Sequence, residues 1–316
     1  MARKLNIVLL SLLLLVGAPF WWLLFDNQPG NPQPQPITVA QLRALAHSKP
    51  GPAPASIHAA LVGWRFAPRA ALVAGSGLKT RLVGIIAYRL DVPGGAPIVI
   101  DSGITPAGAK ALGLERLDLA DVSRVDHWLD DAGLVLFTHE HLDHMGAFVA
   151  RLGGANAPAL LAKARFNPAQ LPPAPLAASL GWPAGLALPM PAIRPGAPQA
   201  VAPGVVVIPT PSHTPGSQMI FVRLGDGREY LFAGDVASMS ANWKELRGRS
   251  RLVSQYAAGQ PEDRPAVFSW LATIRKWHEE APDMAILPGH DWRTIASQPG
   301  HMGIDADFSD TPPPRD

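Results

Sequence analysis

Six consecutive residues, His139-Glu140-His141-Leu142-Asp143-His144, place three imidazoles and an aspartate carboxylate in one short segment. In extended backbone the side chains at i and i+2 point the same way, so His139 and His141 converge. A helix beginning near Leu142 would carry Asp143 and His144 in its first turn and aim them at the same point. Such a group is costly in an apolar core and well suited to a cation that takes imidazole nitrogens and carboxylate oxygens. The whole chain has 10 His in 316 residues, so three within six is a concentration that accidental clustering in a solvated loop does not explain. Three more candidates stand elsewhere. His213 lies in Pro209-Thr210-Pro211-Ser212-His213-Thr214-Pro215-Gly216, Asp235 in Phe232-Ala233-Gly234-Asp235, and His290 in Ile286-Leu287-Pro288-Gly289-His290-Asp291. The chain has no Cys, which excludes a thiolate ligand, a cysteine nucleophile and a disulfide framework.

These residues need a scaffold that brings strand ends together. Leu134–Thr138 is a continuous apolar run of strand length, the pattern of a strand buried on both faces. Further strands are expected at Ala60–Phe66, Leu82–Leu90, Pro97–Ile100, Ala159–Ala162, Val205–Pro209, Met219–Leu224, Tyr230–Ala233 and Met284–Pro288. Helical patterns cover Val39–Ala46, capped by Thr38, then Pro106–Leu112, Met145–Leu152 and Arg264–Glu280. Alternating strands and helices give an α/β class. Each candidate ligand then sits on a loop after a buried strand, where a rigid sheet holds it. Phe166–Gly204, dense in Pro and Ala, reads as an irregular excursion over the surface that could rim a pocket. Trp64, Phe66, Trp182 and Trp243 suit core packing, with an apolar acyl pocket as their other reading.

The order His139-x-His141-x-Asp143-His144, His213, Asp235, His290 resembles the metallo-β-lactamase-fold hydrolase superfamily. The resemblance spans Leu82 to Trp292. It implies an αβ/βα four-layer sandwich of two mixed β-sheets flanked by helices. It also implies one metal on His139, His141 and His213, a second on Asp143, His144 and His290, and Asp235 bridging both. Zn2+ is the usual ion of the family, with Fe or Mn in some members. Two such cations would share a water, lower its pKa and polarise a carbonyl, so the expected reaction is attack of a bridging hydroxide on an ester, thioester, lactone or amide. Asp143 is the expected catalytic proton carrier, and Asp101, after an early strand, is the residue expected to orient a metal-binding His. Within the superfamily, Asp235 argues against antibiotic hydrolysis, because true β-lactamases usually lack that Asp. The glutathione-binding module of glyoxalase-II-like thioesterases is not expected in the short segment after His290. Acyl-homoserine lactonases share the ligand set and an ending like Gly289-His290-Asp291, but usually carry Tyr where this chain has Ser238. A non-catalytic metal-binding or sensor module on the same fold is the alternative to an enzyme.

Composition sets the wider frame. With 47% hydrophobic and 16% charged residues, the chain is no disordered protein. Its formal charge of +2 and the lack of a Lys/Arg run exclude a nucleic-acid partner and leave a small-molecule substrate; no feature fixes an oligomeric state. Arg3 and Lys4 precede an apolar run from Leu5 to Phe25, about 30 Å long as a helix, which matches a bilayer core. Trp21 and Trp22 suit the interfacial belt, and the charge asymmetry puts the N-terminus in the cytoplasm and the remainder outside. The reading is therefore a retained single-pass anchor in the inner membrane with a periplasmic catalytic domain; the alternative is secretion to the periplasm after cleavage near Val16-Gly17-Ala18. The expected organisation is an anchor or uncleaved signal over 1–26, a Pro-rich spacer and short helix over 27–56, the hydrolase domain over 57–300 and a flexible tail over 301–316.

Overall fold

A computed structural model describes residues 2–257, 259–298 and 302–304. Eleven strands run in chain order: β1 (Ser56–Pro68), β2 (Thr80–Asp91), β3 (Ile98–Ile100), β4 (Arg116–Leu117), β5 (Leu134–Leu136), β6 (Gln199–Ala202), β7 (Val205–Pro209), β8 (Gln218–Arg223), β9 (Glu229–Gly234), β10 (Ala285–Pro288) and β11 (Met302–Ile304). One sheet has the order β11-β1-β2-β3-β5, with β4 beside β1; the other has the order β10-β9-β8-β7-β6. Both are mixed. β3 and β5 are parallel while β1 and β2 are antiparallel, and β9 and β10 are parallel while β7, β8 and β9 are antiparallel.

Strand periodicity explains the layering. Along β7, Val205 and Val207 face the space between the sheets, where they join Ile86, Tyr88, Ile220 and Phe232. Val206 and Ile208 point the other way, onto Trp270, Leu271, Ile274 and Trp277 of the helix Arg264–Glu280. Since both faces are covered, every residue of β7 is apolar and buried. The outer face of the first sheet is covered likewise. There Val99, Val135 and Phe137 meet Trp128, Phe148 and Leu161 from the helices Leu119–Asp131, Leu142–Arg151 and Ala157–Lys163. Helix, sheet, sheet and helix give the four-layer αβ/βα sandwich.

Several expectations change. Ala159–Ala162 is not a strand but part of the helix Ala157–Lys163, with Pro158 in its first turn. Pro lacks the donor that a first helical turn leaves unused, so Asn156-Ala157-Pro158 starts a helix. The segment after the apolar run does not hold the domain off as a free spacer. Asn27 bonds Leu246 and Gly248, Gln35 bonds Ser269 and Thr273, and the Trp277 indole donates to the Ile37 carbonyl. Val39, Leu42 and Ala46 are then buried against the second sheet. Met302–Ile304 pair in parallel with Ile57–Ala59, inside the expected tail, of which 305–316 lie outside the described residues. Trp64 and Trp243 are core residues. Arg3–Leu24 forms a 22-residue helix long and apolar enough to cross a membrane, with none of it buried. A wider π-type turn over Leu13–Gly17 precedes Pro19, whose missing N–H cannot continue the regular bonding.

Candidate metal centre

All seven candidate ligands gather where strands from both sheets end. His139 and His141 follow β5, Asp143 and His144 lie in the first turn of Leu142–Arg151, His213 follows β7, Asp235 follows β9 and His290 follows β10. Close approach depends on glycine. Gly234 has φ +51°, and any Cβ on Gly289 would strike the Asp235 carboxylate, so the two loops can touch only because these side chains are absent.

The ligand atoms form two groups. His139, His141, His213 and Asp235 make one, and Asp143, His144 and His290 the other; within each, the atoms lie within 4.8 Å of one another. In the first, His141 Nδ1 is 3.0 Å from His139 Nε2 and 3.1 Å from His213 Nε2. Asp235 Oδ2 is 3.4 Å from His213 Nε2 and 3.8 Å from His139 Nε2. Four donors tetrahedrally placed about one ion at ~2.0–2.1 Å would be ~3.4 Å apart, so the spacing fits a first-row cation. In the second, Asp143 Oδ2 is 3.9 Å from His144 Nε2 and 3.8 Å from His290 Nε2. Asp235 Oδ1 faces this group, 2.9 Å from His290 Nε2. That separation is short, yet the buried oxygen makes no aligned hydrogen bond; nor does the buried His144 Nε2. Buried polar atoms left without a hydrogen-bond partner call for one, and a shared cation would satisfy both.

The remaining ring nitrogens fix the tautomers. His144 Nδ1 donates to Asp101 Oδ2 at 2.8 Å, His213 Nδ1 to Glu262 Oε1 at 2.6 Å and His290 Nδ1 to the Gly84 carbonyl at 2.7 Å. The Asp101 carboxylate and the Gly84 carbonyl only accept, so His144 and His290 each carry a proton on Nδ1; His213 Nδ1 has the Arg249 guanidinium at 2.5 Å as well as Glu262, and in all three rings Nε2 is the nitrogen turned inward. Asp101 also accepts from Thr138 N and Oγ1, in a left-handed backbone conformation of φ +59°. Its expected orienting role thus acts on His144. Burial, reinforced by the neighbouring imidazoles, pushes His139 well below its ordinary pKa and His141 down to about 3. Burial opposes charge on His144 too, but Asp101 and Asp143 outweigh it and raise that ring to about 9.

Three residues important to this geometry carry no sequence motif role of their own. Glu140 accepts from Thr214 Oγ1 and Gly216 N, clamping the His213 turn to the first histidine segment. Glu262 orients His213. Arg249 is fully enclosed, with Nη2 at 2.5 Å from Asp235 Oδ2 and Nη1 at 2.5 Å from Glu262 Oε1, and it also binds Ser238 Oγ. Burial pushes the Glu262 carboxyl up, but the Arg249 charge and the His213 bond outweigh it and hold it at about 2. Glu140 stands inside the histidine segment, where its burial could be suspected; Arg249 lies between Arg247 and Arg251, and Glu262 beside Asp263 and Arg264, so nothing in the sequence singles either out from its charged neighbours.

The chain belongs to the metallo-β-lactamase superfamily, whose family model matches residues 83–290. It is a metal-dependent hydrolase of that superfamily, with a His/Asp centre. No curated protein matches the sequence. Among solved structures it is similar to an N-acyl homoserine lactone hydrolase with N-hexanoyl-L-homoserine bound at the catalytic metal centre (17% identity, TM-score 0.58, covering 78% of this chain and 97% of that one). It is also similar to a quorum-quenching N-acyl homoserine lactone lactonase (16%, 0.58, 79% and 98%) and to a probable metal-dependent hydrolase from Staphylococcus aureus (15%, 0.54, 77% and 91%). At these identities the likeness is one of fold.

Proposed function

We propose that this protein is a membrane-tethered dinuclear hydrolase of small carboxylic esters, with lactones the favoured class and thioesters and amides the other carbonyl substrates the centre suits. The observation that carries the reading is the Asp235 carboxylate, which turns one oxygen to His139, His141 and His213 and the other to the group of Asp143, His144 and His290. The two groups of donors would each hold one cation, with Asp235 serving both, and the donor set suits Zn2+, with Fe or Mn as other occupants. Two such ions supply a hydroxide at neutral pH and polarise the substrate carbonyl.

The chain's own groups do the rest. Asp101, Glu262 and the Gly84 carbonyl hold three imidazoles by Nδ1 and so turn each Nε2 toward the centre. Asp143 and His141 are half-buried while the other five residues of the centre are enclosed, and Asp143 is the carboxylate of the two, so it is the group suited to take a proton and pass it to the leaving oxygen or nitrogen. Lactone chemistry is favoured by the solved lactone hydrolases that share this fold. Ser238, tied to Arg249, stands where those enzymes usually carry Tyr, so leaving-group contacts here differ.

The helix Arg3–Leu24, with Arg3 and Lys4 at its start, supports an anchor in the cytoplasmic membrane and a domain on the outer side. The test is metal analysis of the full chain in detergent together with hydrolysis of a panel of lactones, thioesters and β-lactams. Two equivalents of metal with lactone turnover are expected. One equivalent, or metal-loaded protein inert on the whole panel, would overturn the reading.

A further inference from the structure

Outside the apolar helix, the described residues include six large hydrophobic side chains that are exposed: Leu78, Leu119, Leu188, Met190, Leu252 and Tyr256. Three of these, Leu78, Leu252 and Tyr256, belong to the two segments that grip the end of that helix. On one side, Gly75 N donates to the Leu24 carbonyl, three residues before Leu78. On the other, Arg251 holds Asp26 with Nη2 at 2.7 Å and Nε at 2.9 Å, and its guanidinium lies 5.1 Å over the Trp22 ring. Just before these segments, Arg247 donates to the Ala74 carbonyl at 2.7 Å, which ties the two stretches together. Asp26 is only 3% exposed, so the helix end is seated on the domain rather than hung from it. Lys79 and Arg81 follow Leu78, Lys79 exposed and Arg81 half-buried.

We infer that the surface formed by residues 75–81 and 250–257 is a second membrane contact, which lays the domain on an anionic lipid leaflet. The inference rests on the anchor reading above. If Arg3–Leu24 spans the bilayer, its end at Trp22–Asp26 lies at the headgroup level, and whatever is fixed to that end lies there too. The exposed apolar residues then meet the acyl boundary, the Tyr256 ring suits the interface, and Lys79 and Arg81 meet lipid phosphates. The contact reaches the metal centre through a short path: Arg251 is two residues from Arg249, which binds Asp235, and Glu262 closes the same segment on His213. The hydrolase would therefore work beside the leaflet, where amphiphilic acyl substrates concentrate.

The absence of Cys makes the test direct. Single variants Leu78→Cys, Leu252→Cys and Tyr256→Cys of the full chain are labelled with an environment-sensitive fluorophore. They are reconstituted in phosphatidylcholine vesicles, with or without phosphatidylglycerol, that contain a spin-labelled quencher lipid. Leu15→Cys, within the apolar helix, and Met190→Cys, 87% exposed and outside both gripping segments, are the references. Quenching at 78, 252 and 256 well above that at 190, rising with phosphatidylglycerol and losing that rise in a Lys79→Glu, Arg81→Glu background, is expected. Quenching at 15 with none above the 190 level at the other three would overturn the contact while leaving the anchor intact. No quenching at 15 would overturn the anchor reading and the contact with it. Equal quenching in both lipids would overturn the anionic preference. All five labelled positions are exposed, so folding of the variants is not at risk.

Discussion

The Arg249 guanidinium lies 2.5 Å from the Asp235 carboxylate, on the oxygen that also faces His139 and His213. Its other nitrogen lies 2.5 Å from Glu262. Two buried acids thus share one buried cation at the edge of the metal centre, and the guanidinium balances charge that bound metal would otherwise balance.

Arg249→Met should therefore destabilise the metal-free protein by about 3–5 kcal/mol, the usual cost of leaving a buried charge without its partner. Metal restores positive charge to Asp235, so zinc should raise the melting temperature of the variant by more than it raises that of the parent. Thermal melts with chelator and with excess zinc measure both rises. Equal rises would show that the guanidinium is not the counter-charge of the empty centre.

The residues that orient the imidazoles should separate the two groups. Glu262→Gln keeps an acceptor for His213 but loses the charge, and Asp101→Asn does the same for His144 while tolerating the left-handed backbone at that position. Losses of this kind typically cost about 10–100-fold in metal affinity. Chelator competition should show Glu262→Gln weakening one equivalent and Asp101→Asn the other. Unchanged affinity in both variants would reduce these contacts to packing.

The clustering of the seven candidate ligands was legible because each is a His or Asp at or just after the end of an apolar run, and because extended and helical periodicity aim side chains in known directions. Asp101 was legible for the same reason, at the end of β3. Arg249 and Glu262 were not, since only the tertiary fold decides that two separate charges 13 residues apart are buried and meet at one carboxylate–imidazole pair. The helix Leu119–Asp131 escaped notice because its apolar stripe is thin; its cap, Asp118 accepting from Ala120 and Asp121, was the readable signal. Ala159–Ala162 shows the ambiguity of a short apolar run, which neither length nor period resolves and which Pro158 decides. β11 is three residues paired with a strand more than two hundred positions earlier, and no local pattern specifies that.

A pH effect away from the centre is expected at the β1–β2 end. Asp91 accepts from Arg89 at 2.7 Å and Ser56 at 3.0 Å, and lies 2.8 Å from His58. Burial pushes its carboxyl up, but the Arg89 and Ser56 hydrogen bonds and the Arg89 charge outweigh it, and its pKa is lowered. A lowered folded pKa contributes stability that is present above the ordinary value of ~3.9 and is lost as pH falls through the folded value. The side chain is 38% exposed, so the contribution is screened to less than about 1 kcal/mol. Asp91→Asn should cost that amount at pH 7 and progressively less in acid below pH ~4, as read by urea unfolding. A cost that grows toward acid would reverse the assignment.

Asp143 remains the decisive residue for chemistry. Its Oδ2 lies between His144 and His290, and burial pushes its carboxyl up while those two rings outweigh burial and lower it. The group is therefore a carboxylate at neutral pH and able to accept a proton. Asn in its place keeps the size and one oxygen donor but loses the charge and the proton acceptor. Asp143→Asn should depress kcat by about 10²–10⁴-fold, the scale of general acid–base catalysis, with a much smaller change in KM. Loss of an ion from the second group would imitate this result, so metal content must be measured on the same preparation. A variant that holds two equivalents of metal and turns over at the parental rate would show that the proton passes to the leaving group without Asp143.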